Sequence, residues 1–375
     1  MIQIARLTLQ TNLIYCCLAA FLIFLAPLDL RAQASDSTTS ADSVQYVKAS
    51  WVAQPSLFRS PRTKLGGGGS VRYFPKREVG VRPSSISASV VYTAKRQLIL
   101  SLVPDLFFDQ GRRRFFASAL YLDFPDTFYG IGNDQPLSES EAYASKTSSL
   151  LLSGEQRIRP NLNLGLQTWL RFEKVTETDS LGVLRQGTLT GSTRGTAAGA
   201  GLFLRWDTRN NFFYTTNGLY VRGSWMLFGS ALGGDYKFSR AALDIRRFIP
   251  IGWRHVIALR GYTQAVEGDA PFQLMPNVGG RALMRGYREG RYRDNVMTVL
   301  QAEYRVFVWG PIGAVLFGSM GDLQRRYSAI GSEKLIFAGG PGIRFLLNEE
   351  GLNFRIDYGY GRDGGSFYFT LGEAF

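Results

Sequence analysis

At 375 residues the chain has room for two average domains or for one large β-barrel. Apolar residues make up 45% and charged residues 19%, below the usual charged share of about 25%, which excludes disorder for most of its length. Its 42 glycines and 13% aromatics lean towards a turn-rich all-β chain, and a formal charge of +13 calls for an anionic neighbour.

Arg6, an apolar stretch from Leu13 to Ala26 and the small-x-small triplet Ala32-Gln33-Ala34 make residues 1–34 a secretory signal peptide. The alternative is a single anchoring helix, but Pro27, Asp29 and Arg31 cut the run short. Cys16 and Cys17, the two cysteines of the sequence, both lie inside this segment, so neither disulfides nor thiolate metal sites are expected in the exported chain. This is also the one apolar run of membrane-helix length, which excludes a multi-span helical protein. An exported basic chain meets outer-membrane lipid and lipopolysaccharide, or lines an aqueous channel with arginine; nucleic acid is not an expected partner. Residues 35–62 read as a flexible periplasmic lead, low-complexity over 35–43 and too short beyond that for a domain.

Residues 63–375 repeat one theme, segments of alternating polarity punctuated by Gly, Pro, Asn and Asp. Leu162, Leu164, Leu166, Leu170 and Phe172 alternate with Asn163, Gly165, Gln167, Arg171 and Glu173; Phe354, Ile356, Tyr358 and Tyr360 alternate with Arg355, Asp357, Gly359 and Gly361. A soluble sandwich alternates too, with its polar face in bulk water. Here the polar faces mix arginine with carboxylates while the apolar faces run to the strand ends. That pattern predicts an all-β, transmembrane antiparallel β-barrel with an apolar belt and a polar, charge-paired interior, and the length gives 14 to 16 strands. Residues 348–351 and 362–365 look like tight hairpin turns. Residues 66–69, four glycines, fall in the expected first barrel strand, as a weak edge or as a flexible entry to the barrel. The connection from about 267 to 294 is too long for a plain turn and is expected to be functional.

That connection carries Met284-Arg285-Gly286-Tyr287 and leads into Ala302-Glu303-Tyr304-Arg305. Further on come residues 340–344 (Gly-Pro-Gly-Ile-Arg), 354–359 (Phe-Arg-Ile-Asp-Tyr-Gly) and 371–375 (Leu-Gly-Glu-Ala-Phe), with 129–132 (Tyr-Gly-Ile-Gly) upstream. In this order the motifs resemble the bacterial surface antigen family of outer-membrane barrels, relatives of the outer-membrane assembly insertase and the two-partner secretion transporters. The resemblance implies a long loop folded into the lumen and latched by Arg285, Gly286 and Tyr287 against Glu303. It also implies insertion or translocation of polypeptides through a weak seam between the first and last strands. Two departures stand out. The family's polypeptide-transport-associated domains do not fit ahead of residue 63, so a barrel-only member is expected, with assembly-machinery subunits or a periplasmic delivery protein as partner. Ser319 stands where relatives carry an aspartate, leaving Asp322 or Asp357 to support Glu303. Phe367, Phe369, Leu371 and Phe375 resemble the family's terminal assembly signal, expected on the lipid-facing side.

A passive, anion-preferring pore is the competing reading, from the luminal arginines Arg171, Arg222, Arg344 and Arg355. An enzyme is not expected. His255 is the one histidine, beside Trp253 and Arg254 at an expected membrane interface, and it leaves no histidine cluster for zinc. Residues 339–342 are glycine-rich but lack the lysine and helix of a phosphate loop. Glu349 and Glu350 belong to a solvated turn. No cofactor and no metal are expected.

Overall fold

Along the strands period-two alternation is inverted relative to a soluble protein, polar inside and apolar outside, and the sheet closes on itself. The computed structural model describes residues 46–78, 83–330, 335–347 and 351–375. Sixteen antiparallel strands form a closed barrel. They are β1 (Ser50–Ser60), β2 (Lys64–Phe74), β3 (Ser85–Thr93), β4 (Leu98–Phe108), β5 (Arg113–Phe128), β6 (Glu141–Arg159), β7 (Leu162–Thr178) and β8 (Arg194–Asp207). The second half comprises β9 (Gly218–Phe228), β10 (Phe238–Ile251), β11 (His255–Gly268), β12 (Val296–Trp309), β13 (Ile312–Gln324), β14 (Ile336–Leu346), β15 (Asn353–Gly361) and β16 (Gly364–Leu371). Every strand pairs with its sequence neighbour, and β1 meets β16 to close the ring.

The alternation sorts the faces. On β15, Asn353, Arg355, Asp357, Gly359 and Gly361 are buried in the lumen, while Tyr358 and Tyr360 are exposed outside. On β7, Asn163, Gln167 and Glu173 face inwards, and Leu164, Leu166 and Phe172 face out. Charged groups inside and leucine outside is the arrangement that a lipid solvent selects. At one end of the barrel the turns are short: 109–112, 160–161, 252–254 and 310–311. Trp51, Trp206, Trp253 and Trp309 are exposed near that end, as in an aromatic interface girdle. The opposite end carries the long connections, including 129–140, 179–193 and 269–295.

The barrel begins earlier than residue 63. β1 lies inside the segment expected to be a flexible lead, and the four glycines of 66–69 sit on β2. Pro55 hides β1 in the sequence, because proline has no N–H to give a ladder; it is tolerated here on a strand at the seam. The signal segment 1–34, residues 35–45 of the lead and residues 348–350 of an expected turn lie outside the described residues.

Candidate functional site

The connection between β11 and β12 folds into the barrel rather than away from it. A two-residue ladder, Asn277–Val278 with Tyr292–Arg293, pins its stem, and Val278, Met284, Tyr287 and Tyr292 pack with Met297, Val299, Leu323 and Ile336 of the wall. Its tip turns on Met284 and Gly286, both at positive φ (53° and 122°). A side chain on Gly286 would meet the Tyr360 backbone at 2.7 Å, and a Cβ at Gly359 would meet the Arg285 backbone at 2.5 Å. Glycine on both sides lets the loop backbone lie directly against β15.

This approach delivers Arg285 into a closed ring of charge. Its guanidinium donates to Glu303 on β12 and, at 2.6 Å, to Asp357 on β15. Arg305 donates to Glu303 at 2.8 Å and stands 4.0 Å from Glu373. Arg344 links Glu373 at 2.9 Å back to Asp357 at 2.7 Å. Arg355 approaches Asp357 at 3.4 Å. The face of Arg285 lies 3.6 Å from the Phe317 ring centre, a cation–π contact. Arg285 and Glu303 are each 1% exposed, so loss of one partner leaves the other charge without compensation. The neighbours of Arg285 also hold the last strands. The Gly286 N–H donates to the Tyr368 hydroxyl at 3.0 Å, and that hydroxyl donates to the Tyr287 carbonyl at 3.1 Å. Tyr287 donates to the Phe337 carbonyl at 2.9 Å.

A second anchor lies across the seam. Arg288 reaches Asp126 on β5 at 2.5 Å and the Tyr129 hydroxyl at 2.7 Å. Arg62, in the β1–β2 hairpin, shares Asp126 at 2.7 Å and meets Glu289 of the loop at 2.9 Å. Burial opposes the charge on Arg62, yet Asp126 and Glu289 hold its guanidinium above the ordinary arginine range. Arg291 ties the loop to Asp363 in the β15–β16 turn at 2.7 Å. The loop therefore grips both sides of the junction between β1 and β16, where Arg59 with Phe369 is the one register pair among the described residues.

Of the residues singled out in the sequence, Arg285, Gly286, Tyr287, Glu303 and Asp357 come together. Asp322 and Ser319 do not join them. Asp322 accepts from Asn133 at 3.3 Å and Gln324 at 3.0 Å; Ser319 donates to the Ala338 carbonyl at 3.1 Å. Phe375 is not lipid-facing either. Phe367 and Leu371 are exposed on the outer wall and Phe369 is half-buried, but Gly372 (φ 79°) breaks the alternation and turns residues 373–375 into the lumen. There Phe375 packs against Phe248 and Ala258, and its carbonyl accepts from Arg305 at 3.2 Å. Arg344, expected as a luminal arginine, joins this ring, whereas Glu373 and Tyr368 are ring or anchor residues that alternation alone does not single out; the carboxylate at 373 is legible only once the turn at Gly372 is known. His255 Nδ1 lies 2.7 Å from the Tyr304 hydroxyl on the outer wall. Among the luminal arginines, Arg171, Arg344 and Arg355 are matched to carboxylates, and Arg222 donates to Gln167 at 3.1 Å.

The Omp85 superfamily domain model matches residues 82–375. Solved structures of similar fold include BamA from Haemophilus ducreyi lacking POTRA domains 1–3, with TM-score 0.61, 12% identity, and coverage of 86% of this chain and 70% of that one. CdiB from Acinetobacter baumannii (TM-score 0.56, 12% identity, 86% and 59% covered) and CdiB from Escherichia coli (0.59, 11%, 89% and 63%) are also similar. The chain thus spans less than two thirds of either CdiB protein. No curated protein sequence matches it.

Proposed function

The chain belongs to the Omp85 superfamily, whose barrels reside in the outer membrane of Gram-negative bacteria, and from that membership we propose that it assists insertion or translocation of polypeptides there. The observation that carries the reading is the junction of β1 and β16. Among the described residues it has one register pair, whereas the neighbouring β1–β2 ladder runs from Ser50–Phe74 to Ser60–Lys64. An edge so sparsely paired leaves backbone donors and acceptors free to take a client strand by β-augmentation. The luminal loop, bonded to β15, β16 and the β15–β16 turn on one side and to the β1–β2 hairpin and β5 on the other, is placed to hold that edge shut until a client arrives. In this reading the chain reaches the outer membrane after cleavage of residues 1–34, works with an assembly-machinery subunit or a periplasmic delivery protein, and carries out no enzymatic step. The inward loop, and the pairing of Arg171, Arg344 and Arg355 with carboxylates, weigh against a passive anion pore.

Cysteines introduced at the register pair, Arg59→Cys with Phe369→Cys, test it. Proteoliposomes holding the oxidised barrel are expected to insert a urea-unfolded outer-membrane barrel more slowly than the same proteoliposomes after reduction. Equal rates in both states, or stable and large anion-selective currents from the wild-type barrel in planar bilayers, would overturn the proposal.

A further inference from the structure

At the rim of the barrel, several strands away from the seam, two adjacent hairpins end in arginine. Arg112 and Arg113 come from the β4–β5 turn and the start of β5; Arg157 and Arg159 come from the end of β6. Together with Gln156 and Ile158 they line a groove of about 640 Å³. The acid beside them, Asp109, is engaged by Arg113. Arg157 donates to the Gly111 carbonyl at 3.0 Å. Arg112 and Arg159 are exposed and meet no carboxylate among the described residues.

The backbone is adapted to this arrangement. Plain alternation would put residues 157 and 159 on one face. A β-bulge between them instead pairs Arg157 with Asn163, which faces the lumen, and Arg159 with Leu162, on the outer face. Bulges re-aim side chains in this way. The groove lies at the short-turn end of the barrel, the level of the exposed tryptophans, which in outer-membrane barrels is the periplasmic interface.

The same strands continue outwards as an apolar groove of about 800 Å³, with Leu100, Leu102, Leu150, Leu152, Leu170 and Phe172 along it. Ala119 sits between Leu102 and Leu150 in register, so the floor is low where the flanks are tall. Leu152 is four residues from Gln156, a rise of about 13 Å along the strand. Half of a hydrocarbon core is about 15 Å, so the apolar groove lies within reach of acyl chains whose headgroup rests at the arginines.

We propose that this is a binding site for an anionic phospholipid of the periplasmic leaflet. Arg112 and Arg159 hold the headgroup phosphate through their planar N–H forks, Arg113 flanks it, and the acyl chains lie along the leucine groove. The placement of the site rests on the outer-membrane orientation alone and holds whether or not the seam opens.

Native mass spectrometry of the full barrel in detergent, titrated with phosphatidylglycerol or phosphatidylcholine, tests it. One phosphatidylglycerol is expected to survive activation that strips phosphatidylcholine. Two arginines at an interface imply that the paired change Arg112→Gln with Arg159→Gln weakens phosphatidylglycerol binding about tenfold or more. Arg254→Gln, on another turn of the same rim, should leave it unchanged. Ala119→Trp fills the apolar groove without touching charge; it should also weaken lipid binding, while excess inorganic phosphate should fail to displace the lipid. Equal retention of the two lipids by the wild-type barrel overturns the proposal without any variant. Displacement by inorganic phosphate, with Ala119→Trp silent, overturns it in favour of a simple phosphate site.

Discussion

The strands on the two sides of the seam are built from different chemistry. From β12 to β16 the lumen is walled by arginines and carboxylates that touch one another, crossed by the loop and packed by Phe317 and Tyr368. From β1 to β4 it is walled by Gly66 and Gly68 of β2 and by serines, with Ser89 and Ser101 hydroxyls 2.7 Å apart and Ser87 donating to the Val103 carbonyl at 3.3 Å. The first wall resists displacement because moving any member strands a buried charge. The second has little side-chain packing to lose, and its glycines gain the most backbone entropy on release. If the junction opens, β1 and β2 are the strands that yield, and the charged wall is the frame they leave.

Arg285→Ala attacks the frame directly and carries the largest expected effect. It leaves Glu303 and Asp357 short of a partner inside the barrel, where breaking a buried pair costs about 3–5 kcal/mol. The midpoint of heat modifiability should fall and the 269–295 loop should become accessible to protease. In a double-mutant cycle with Glu303→Gln, the coupling should exceed the roughly 0.5 kcal/mol seen between independent sites. Additive effects would remove the ring as a cooperative unit.

Amide hydrogen exchange measures the comparison itself. Local openings span free energies from near zero to the global value, and the amides of β1 and β2 are expected to exchange about a hundredfold faster than those of β13 to β15. Equal protection on both sides would show that the chemical asymmetry has no mechanical consequence. Next in size is Gly359→Ala. The new methyl would meet the Arg285 backbone at 2.5 Å, and overpacking of this kind costs about 1–3 kcal/mol. The loop should lift from β15 while the barrel stays closed, so protease should cut the loop in a barrel that still migrates as folded. Normal protection would mean that the close approach is not required.

The frame was legible in the sequence, and so were the glycines of the yielding side, but not the strand β1 beside them. Strict alternation on β7 and β15 gives face and period together, and the Arg-Gly-aromatic tip with the following Glu-aromatic-Arg strand locates Arg285 and Glu303. β1 escaped because Pro55 and a mixed polar pattern weaken the strand signal, the same features that make it a poor edge. Phe375 was misplaced because alternation extends across a glycine without notice, whereas Gly372 takes a left-handed φ that only the folded backbone reveals. The Arg62–Asp126–Arg288 anchor joins three distant segments, and no local pattern announces such a contact.

The smallest expected effect comes from Ser319→Asp, and it asks whether the frame is complete. Four guanidinium groups, of Arg285, Arg305, Arg344 and Arg355, meet three carboxylates, of Glu303, Asp357 and Glu373. Among these side chains positive groups outnumber negative ones by one, Arg305 also meets the terminal oxygen of Phe375 at 3.2 Å, and the buried Nε of Arg285 has no hydrogen-bond partner among the described residues. Ser319 lies two residues along β13 from Phe317, the ring that Arg285 covers, and so on the same luminal face. A carboxylate there supplies a charged acceptor on that side of the guanidinium. A hydrogen bond to a charged group contributes about 1.5–3 kcal/mol, and loss of the Ser319 bond to the Ala338 carbonyl offsets part of it, for a net gain of about 1 kcal/mol. The heat-modifiability midpoint should rise, and the rise should vanish in the Arg285→Ala background. A rise that persists without Arg285 would place the new carboxylate with another arginine, and a fall would mean that the frame is already balanced, its excess charge met by water in the lumen.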